Sequence, residues 1–124
     1  MKIFIIDDYP EMRKVIRENV AKSGDVIFEY SDAENLQSQF EKHQPDWILM
    51  DIQMKSINGI KASEELKKQH PEAKIIIVTN FDEPQYRKMA ARSGVSGFVL
   101  KDSLETIGAI IDPQGNDTKE LLIQ

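Results

Sequence analysis

Short apolar runs recur along the chain, each too short for a helix and each ending on a polar or charged residue. Ile3-Phe4-Ile5-Ile6 runs into Asp7-Asp8, Trp47-Ile48-Leu49-Met50 into Asp51, and Phe98-Val99-Leu100 into Lys101. Unbroken apolar runs of this length mark strands buried on both faces of a parallel sheet. With two further runs, the second ending on Thr79-Asn80, the strands expected are 2–6, 26–30, 46–50, 73–78 and 96–100.

Between the strands the apolar spacing becomes helical. Met12, Val15, Ile16 and Val20 predict an amphipathic helix over 10–22, opened by Pro10 and stopped by Gly24. Ser31 and Glu34 stand at capping-box spacing ahead of a helix that buries Leu36 and Phe40 and ends before Pro45. A third helix over 60–70 carries Ile60, Ala62 and Leu66, with Gly59 in the loop before it and Pro71 closing it. Asp82 is placed to cap a fourth, with Pro84 in its first turn, Tyr86, Met89 and Ala90 on its inner side, and Gly94 at its end. Residues 103–111 predict a short last helix after a Lys101-Asp102 loop.

Strand and helix thus alternate five times. That pattern calls for an α/β fold of three layers, a doubly wound parallel sheet of the flavodoxin-like kind with right-handed crossovers. The natural strand order for five strands is 2-1-3-4-5, which puts the topological switch point between strands one and three. Asp7, Asp8 and Asp51 then meet in one crevice at the carboxyl ends of the strands, and Thr79 and Lys101 arrive at the same edge.

Composition narrows the classes. The 124 residues suit one domain with a real core. The absence of cysteine excludes disulfides and thiolate chemistry. Net charge is −5, with 16 Lys and Arg interspersed among 21 Asp and Glu, which argues against a nucleic-acid surface. No apolar run is long enough to span a bilayer and no signal peptide is visible, so a cytoplasmic protein without membrane contact is expected. His43 and His70 read as solvated residues at helix ends.

Carboxylates crowded together raise one another's pKa unless a counter-ion intervenes. Mg²⁺ suits the role, since it takes hard oxygen ligands and binds one or two carboxylates plus a phosphate. Asp51 would then be both a metal ligand and a nucleophile able to carry a phosphoryl group as an acyl phosphate. Lys101 and Thr79 would steady the phosphoryl oxygens. Singly, each residue has a plainer role: Asp7 or Asp8 as a helix cap, Lys101 as a solvated loop lysine, Thr79 as a strand end. Their convergence on one edge carries the reading.

Those residues resemble the receiver domain of two-component response regulators, from Lys2 to about Ile111, with a chemotaxis-regulator-like fold. Asp7-Asp8 matches the acidic pair, Asp51 the phospho-acceptor, and Met54 and Gly59 the loop beyond it. Thr79 matches the switch hydroxyl, Phe98 the rotating aromatic, and Gly97 to Asp102 the end of strand five. The resemblance implies direct Mg²⁺ binding by Asp8, Asp51 and the main-chain carbonyl of Gln53, with Asp7 acting partly through water. It implies a phosphohistidine donor on a sensor histidine kinase or phosphotransfer protein. It also implies a switch in which Thr79 moves inward and Phe98 rotates, remodelling the face near helices four and five for a downstream protein partner or a phosphorylation-dependent dimer. For Phe98 a plain core or edge aromatic is the other reading. Such a protein catalyses only its own phosphoryl transfer and dephosphorylation and is not a turnover enzyme.

Some positions depart from the family pattern. Lys55 stands where proline is usual, Asn80 where a small residue is common, and Gln53 and Phe81 where side chains tune hydrolysis. Asp102 after Lys101 resembles receivers of regulators with LuxR-type outputs. The breaker-rich stretch 112–117 is expected to close a receiver domain at 1–112, leaving 113–124 as a tail without an output domain, with 118–124 as one more turn or a frayed end. A free-standing receiver is slightly favoured over one cut from a DNA-binding regulator.

Other functions fit less well. A phosphorylation-independent interaction module with this fold would normally lack an acid, the acceptor or the lysine, all of which are present. A phosphatase would need a second acid for the leaving group and a cap, and no insertion is long enough. A nucleotide switch would need a glycine-rich phosphate loop. Trp47, taken to lie beside the site, is expected to report Mg²⁺ by fluorescence.

Overall fold

Five strands pair in parallel in the order 2-1-3-4-5, as expected. The structure is a computed structural model and describes residues 1–113; the expected turn or frayed end at 118–124 lies outside them. The strands are β1 (Lys2–Ile6), β2 (Val26–Tyr30), β3 (Trp47–Met50), β4 (Ile75–Thr79) and β5 (Gly97–Leu100). The helices are α1 (Pro10–Val20), α2 (Leu36–His43), α3 (Gly59–Gln69), α4 (Pro84–Arg92) and α5 (Glu105–Ile111).

Alternation along each strand divides the core in two. Ile3 and Ile5, Leu49, Val78 and Val99 face α1 and α5, meeting Ile16, Val20, Ile107 and Ile111. Phe4 and Ile6, Ile48, Met50 and Ile75 face the other way, onto Leu36 and Phe40 of α2 and Ala62 and Leu66 of α3. Ile77 joins Ile52, Ile60 and Ala90 under α3 and α4. β1, β3 and β4 are therefore apolar on both faces, which is why their sequences show no alternation.

The differences from expectation lie at element ends. α1 stops at Val20 rather than 22, because the Asp25 carboxylate takes the Lys22 N–H at 2.9 Å and ties the chain into a turn; Gly24, at φ 90°, belongs to that turn. No capping box forms at Ser31: Asp32 accepts the Glu34 N–H at 2.9 Å, and α2 begins only after Asn35. Asp82 does not cap α4, whose preceding residue is Glu83; it pairs with Arg87 at 2.8 Å. Met89 is exposed, leaving Ala90 as the buried residue of α4. Lys101–Ser103 form a 3-10 turn before α5, not a loop.

The histidines are not simply solvated. His43 packs at a tilt on Phe28 with centroids 4.2 Å apart, and His70 packs on Phe40 while its Nε2 meets Glu41 at 2.8 Å. Trp47 is buried at the amino end of β3, with the Lys74 ammonium 4.7 Å from its ring centroid. The whole of β3 separates it from Asp51, so it does not stand beside the site. No helix among the described residues is long and apolar enough to cross a membrane.

Candidate functional site

The carboxyl edge of the sheet collects the residues expected there, each delivered by the strand before it. β1 ends into Asp7, whose carboxylate accepts the Tyr9 N–H at 2.9 Å and folds the chain towards Pro10, the first residue of α1. Asp7 thus steadies the entry to α1 without being its cap, a position held by Tyr9. β3 delivers Asp51, whose Oδ1 accepts the Ile52 N–H at 2.8 Å. β5 delivers Lys101 into the 3-10 turn, which folds its side chain inward.

The Lys101 ammonium lies 2.8 Å from Asp7 Oδ2 and 3.1 Å from Asp51 Oδ2. Asp7 is 1% exposed, Asp51 6%, and the Lys101 side chain 9%, so the solvated-lysine reading does not hold. Burial pushes the Asp51 carboxyl above its ordinary range; Lys101 pulls it down but does not cancel burial and the nearby Asp7 charge. Burial also opposes the charge on Lys101, yet its bond to Asp7 and the attraction of Asp51 outweigh that and raise its pKa.

Asp7, Asp8 and Asp51 each offer a carboxylate oxygen, all within 4.8 Å of one another. Among the described residues Asp8 Oδ1 is buried without a hydrogen-bond partner, which is costly for a carboxylate and fits a cation ligand. One ammonium between three acids leaves the cluster anionic, so this donor set suits a hard divalent ion. An open cavity of about 330 Å³ covers it, lined by Asp8, Asp51, Gln53, Lys55, Thr79 and Asn80 among others. Gln53 and Lys55 are exposed, and Lys55 keeps the solvated character expected of it.

Thr79 is wholly buried and its hydroxyl oxygen accepts the Phe81 N–H at 3.1 Å, leaving its proton free to donate. Phe98 does not reach this cluster. It is half-buried against the Ile52, Ile60, Ile77 and Ala90 cluster that Phe81 and Tyr86 also cover, with the Arg87 guanidinium 4.7 Å above its ring. The expected residues therefore form two groups, the polar cluster and an aromatic one under α4, with the Thr79–Phe81 bond between them.

Gly59 was read only as a loop residue, and the contacts that support the site were not read from the sequence. The Gly59 N–H donates to the Ile52 carbonyl at 2.8 Å, and a Cβ on Gly59 would overlap the Asp51 carbonyl. Asn58 caps α3, accepting the Ile60 and Lys61 N–H groups at 2.7 and 3.3 Å. An asparagine directly before the apolar spacing of α3 was the available signal. Arg13 donates to the Asp7 carbonyl at 2.6 Å, and no motif announces it.

A family model for the response regulator receiver domain matches residues 3–112. The transcriptional regulatory protein DegU of Brevibacillus brevis is 33% identical over 104 residues, covering 82% of this chain and 44% of DegU. The chemotaxis protein CheY of Bacillus subtilis (strain 168) is 30% identical over 101 residues, covering 81% of this chain and 84% of CheY. The crystal structure of a DNA-binding response regulator of the LuxR family from Staphylococcus aureus aligns with a TM-score of 0.75 at 25% identity, covering 90% of this chain and 96% of that one. This chain spans about half the length of the transcriptional regulators it matches.

Proposed function

This chain belongs to the response regulator receiver domain family, and on that premise we propose that Asp51 is its phosphoryl acceptor, served by Mg²⁺, Lys101 and Thr79. Receivers are phosphorylation-activated signalling switches of two-component systems, not turnover enzymes. The observation that carries the assignment is the Asp51 carboxylate at an open cavity, 3.1 Å from a buried ammonium and beside the unpartnered oxygen of Asp8.

The donor is a phosphohistidine on a histidine kinase or phosphotransfer protein. An Asp51 carboxylate oxygen attacks phosphorus and the P–N bond breaks. The imidazole nitrogen keeps the electron pair and takes a proton from solvent, leaving an acyl phosphate on Asp51. Asp8, Asp51 and the Gln53 carbonyl, with Asp7 partly through water, would hold Mg²⁺, which would supply positive charge for the phosphoryl oxygens. Lys101 supplies a second positive charge, from a position where it already faces the acceptor. Hydrolysis of the acyl phosphate by water later restores the carboxylate and releases inorganic phosphate.

The output runs through Thr79. Its hydroxyl donates to a phosphoryl oxygen, the Phe81 turn bonded to it shifts, and Phe98 repacks beneath Arg87. A downstream protein, a second receiver or a linked output domain reads the changed face. The module works in the cytoplasm, where kinase domains offer phosphohistidine, and makes no nucleic-acid contact of its own.

The test is intact mass after incubation with acetyl phosphate, with and without Mg²⁺, beside Asp51→Asn. A single phosphate adduct that requires Mg²⁺ and vanishes in the variant is expected. No adduct would favour a phosphorylation-independent module, and an adduct surviving in Asp51→Asn would place the acceptor elsewhere.

A further inference from the structure

Arg13 sits in the first turns of α1, four positions after Tyr9, where helix geometry favours acids over bases. Its side chain explains the exception. Nη1 donates to the Asp7 carbonyl at 2.6 Å, and Nε meets Glu29 Oε1 of β2 at 3.1 Å. Glu29 also holds Arg17, one turn along α1, through its other oxygen. The Arg13 side chain is only 16% exposed, so its fork is held between the strand end and β2.

The Asp7 carbonyl needs that donor. The β1–β2 ladder closes with the Asp7 N–H on the Tyr30 carbonyl at 3.1 Å, and β2 ends at Tyr30. The next rung of a parallel ladder, which would have satisfied the Asp7 carbonyl, is missing. The guanidinium takes its place. Fixing this carbonyl fixes the plane of the Asp7–Asp8 peptide, and with it the direction in which the Asp8 side chain leaves the backbone. Among the described residues the buried Asp8 Oδ1 has no hydrogen-bond partner of its own, so backbone placement is what aims it.

We infer that Arg13 is a positioning residue for the acidic pair: it clamps the Asp7–Asp8 peptide from behind so that the Asp8 carboxylate faces the divalent ion. This rests on the reading of the acidic cluster as a divalent-cation site. The ion never meets Arg13, and the guanidinium acts through Asp7 and Asp8. Supports of this kind typically govern metal affinity by about 10- to 100-fold. Charge alone predicts the opposite sign, because deleting a cation near an acidic site should tighten metal binding. The direction of the change therefore separates clamping from a general field.

The experiment measures Mn²⁺ binding by electron paramagnetic resonance in the full chain, for wild type, Arg13→Met, Arg13→Lys and Arg17→Met. Mn²⁺ stands in for Mg²⁺ because both take hard oxygen ligands. Arg13→Met is expected to weaken binding by about 10-fold. In the metal-free protein it should also shift the Asp8 amide resonance. Arg13→Lys should recover part of the affinity, since it can reach the carbonyl but cannot hold Glu29 as well. Arg17→Met strips Glu29 of a partner without touching Asp7, and should stay within about twofold of wild type by this reasoning.

Unchanged or tighter binding in Arg13→Met, or an equal loss in Arg17→Met, would overturn the inference. Should Arg13→Met fail to fold, Arg13→Lys decides: a loss of a few-fold supports the clamp, and wild-type affinity refutes it. If wild type itself binds no Mn²⁺, the cation-site reading falls and the clamp falls with it. Metal binding by wild type with no loss in the variants defeats the clamp alone.

Discussion

Gly59 lies against the Asp51 carbonyl so closely that any side chain at Gly59 would occupy the space of that oxygen. The same glycine donates its N–H to the Ile52 carbonyl, so the start of α3 is stitched to the residues that follow β3. A clash with backbone cannot be relieved by a rotamer change; either α3 or the Asp51 peptide must move. Gly59→Ala should therefore cost about 3 kcal/mol, on the scale of core overpacking and strain. Phosphorylation from acetyl phosphate should fall with it even where the protein stays folded. Urea unfolding and intact mass would check the pair, and a variant of wild-type stability would mean that the contact gives way more easily than backbone should.

The charge on Asp51 is maintained against the interests of the fold. Its pKa is raised in the folded protein by burial first, with Lys101 compensating only in part. The folded state therefore binds this proton more tightly than the unfolded chain. Asp51 favours folding below the unfolded value and costs stability once pH has risen through the folded one. Asp51→Asn should accordingly raise the melting temperature at pH 7 in metal-free buffer, by about 1 kcal/mol or roughly 3–6 °C. The advantage should shrink as pH falls and the native carboxyl takes up its proton. A variant less stable than wild type at pH 7 would show that the Lys101 pairing outweighs burial.

The strands and their order were legible because burial on both faces leaves unbroken apolar runs, and parallel crossovers leave few ways to connect them. The candidate site was legible for the same reason: Asp7, Asp51, Thr79 and Lys101 are the residues at which those runs stop. Helix ends were not. Ser31 and Asp32 both carry capping oxygens, and local spacing does not say that Asp32 will turn the chain first. Asp82 met Arg87 instead of a helix N–H, a choice made by a side chain five residues away. The Arg13 clamp leaves no pattern along the chain, and Gly59, though legible as a loop residue, does not announce which backbone it will lie against.

Trp47 stands at the opposite end of β3 from Asp51. Its ring is buried among residues facing α1 and α5, with the Lys74 ammonium over it. Saturating Mg²⁺ should leave its emission unchanged to within about a tenth, because an ion at Asp51, beyond the other end of β3, neither touches the indole nor alters its solvent exposure. A tryptophan in the cavity lining, as in Phe81→Trp, should respond in the same titration. A strong Trp47 response would mean that metal binding is transmitted along the whole of β3.

Lys101 is the cation that makes two buried carboxylates tolerable. Although burial alone would depress its pKa, the bond to Asp7 and the charge of Asp51 raise it. Its contribution to stability is thus complete below the ordinary lysine value of 10.5 and is lost only as pH climbs through the higher folded value. Lys101→Met keeps the length of the side chain and removes the charge, leaving Asp7 and Asp51 facing each other. In metal-free buffer at pH 7 it should cost about 3 kcal/mol, the usual penalty for stranding a buried charge. The deficit should narrow on acidification, as protonation of Asp51 removes one of the two opposed charges. Added Mg²⁺ should raise the melting temperature of Lys101→Met more than that of wild type, because the ion then supplies the only positive charge in the cluster. Calorimetry with and without 10 mM Mg²⁺, a concentration of about the order needed to saturate a weak site, would check it. Equal shifts in the two proteins would show that the ammonium and the ion do not act on the same carboxylates.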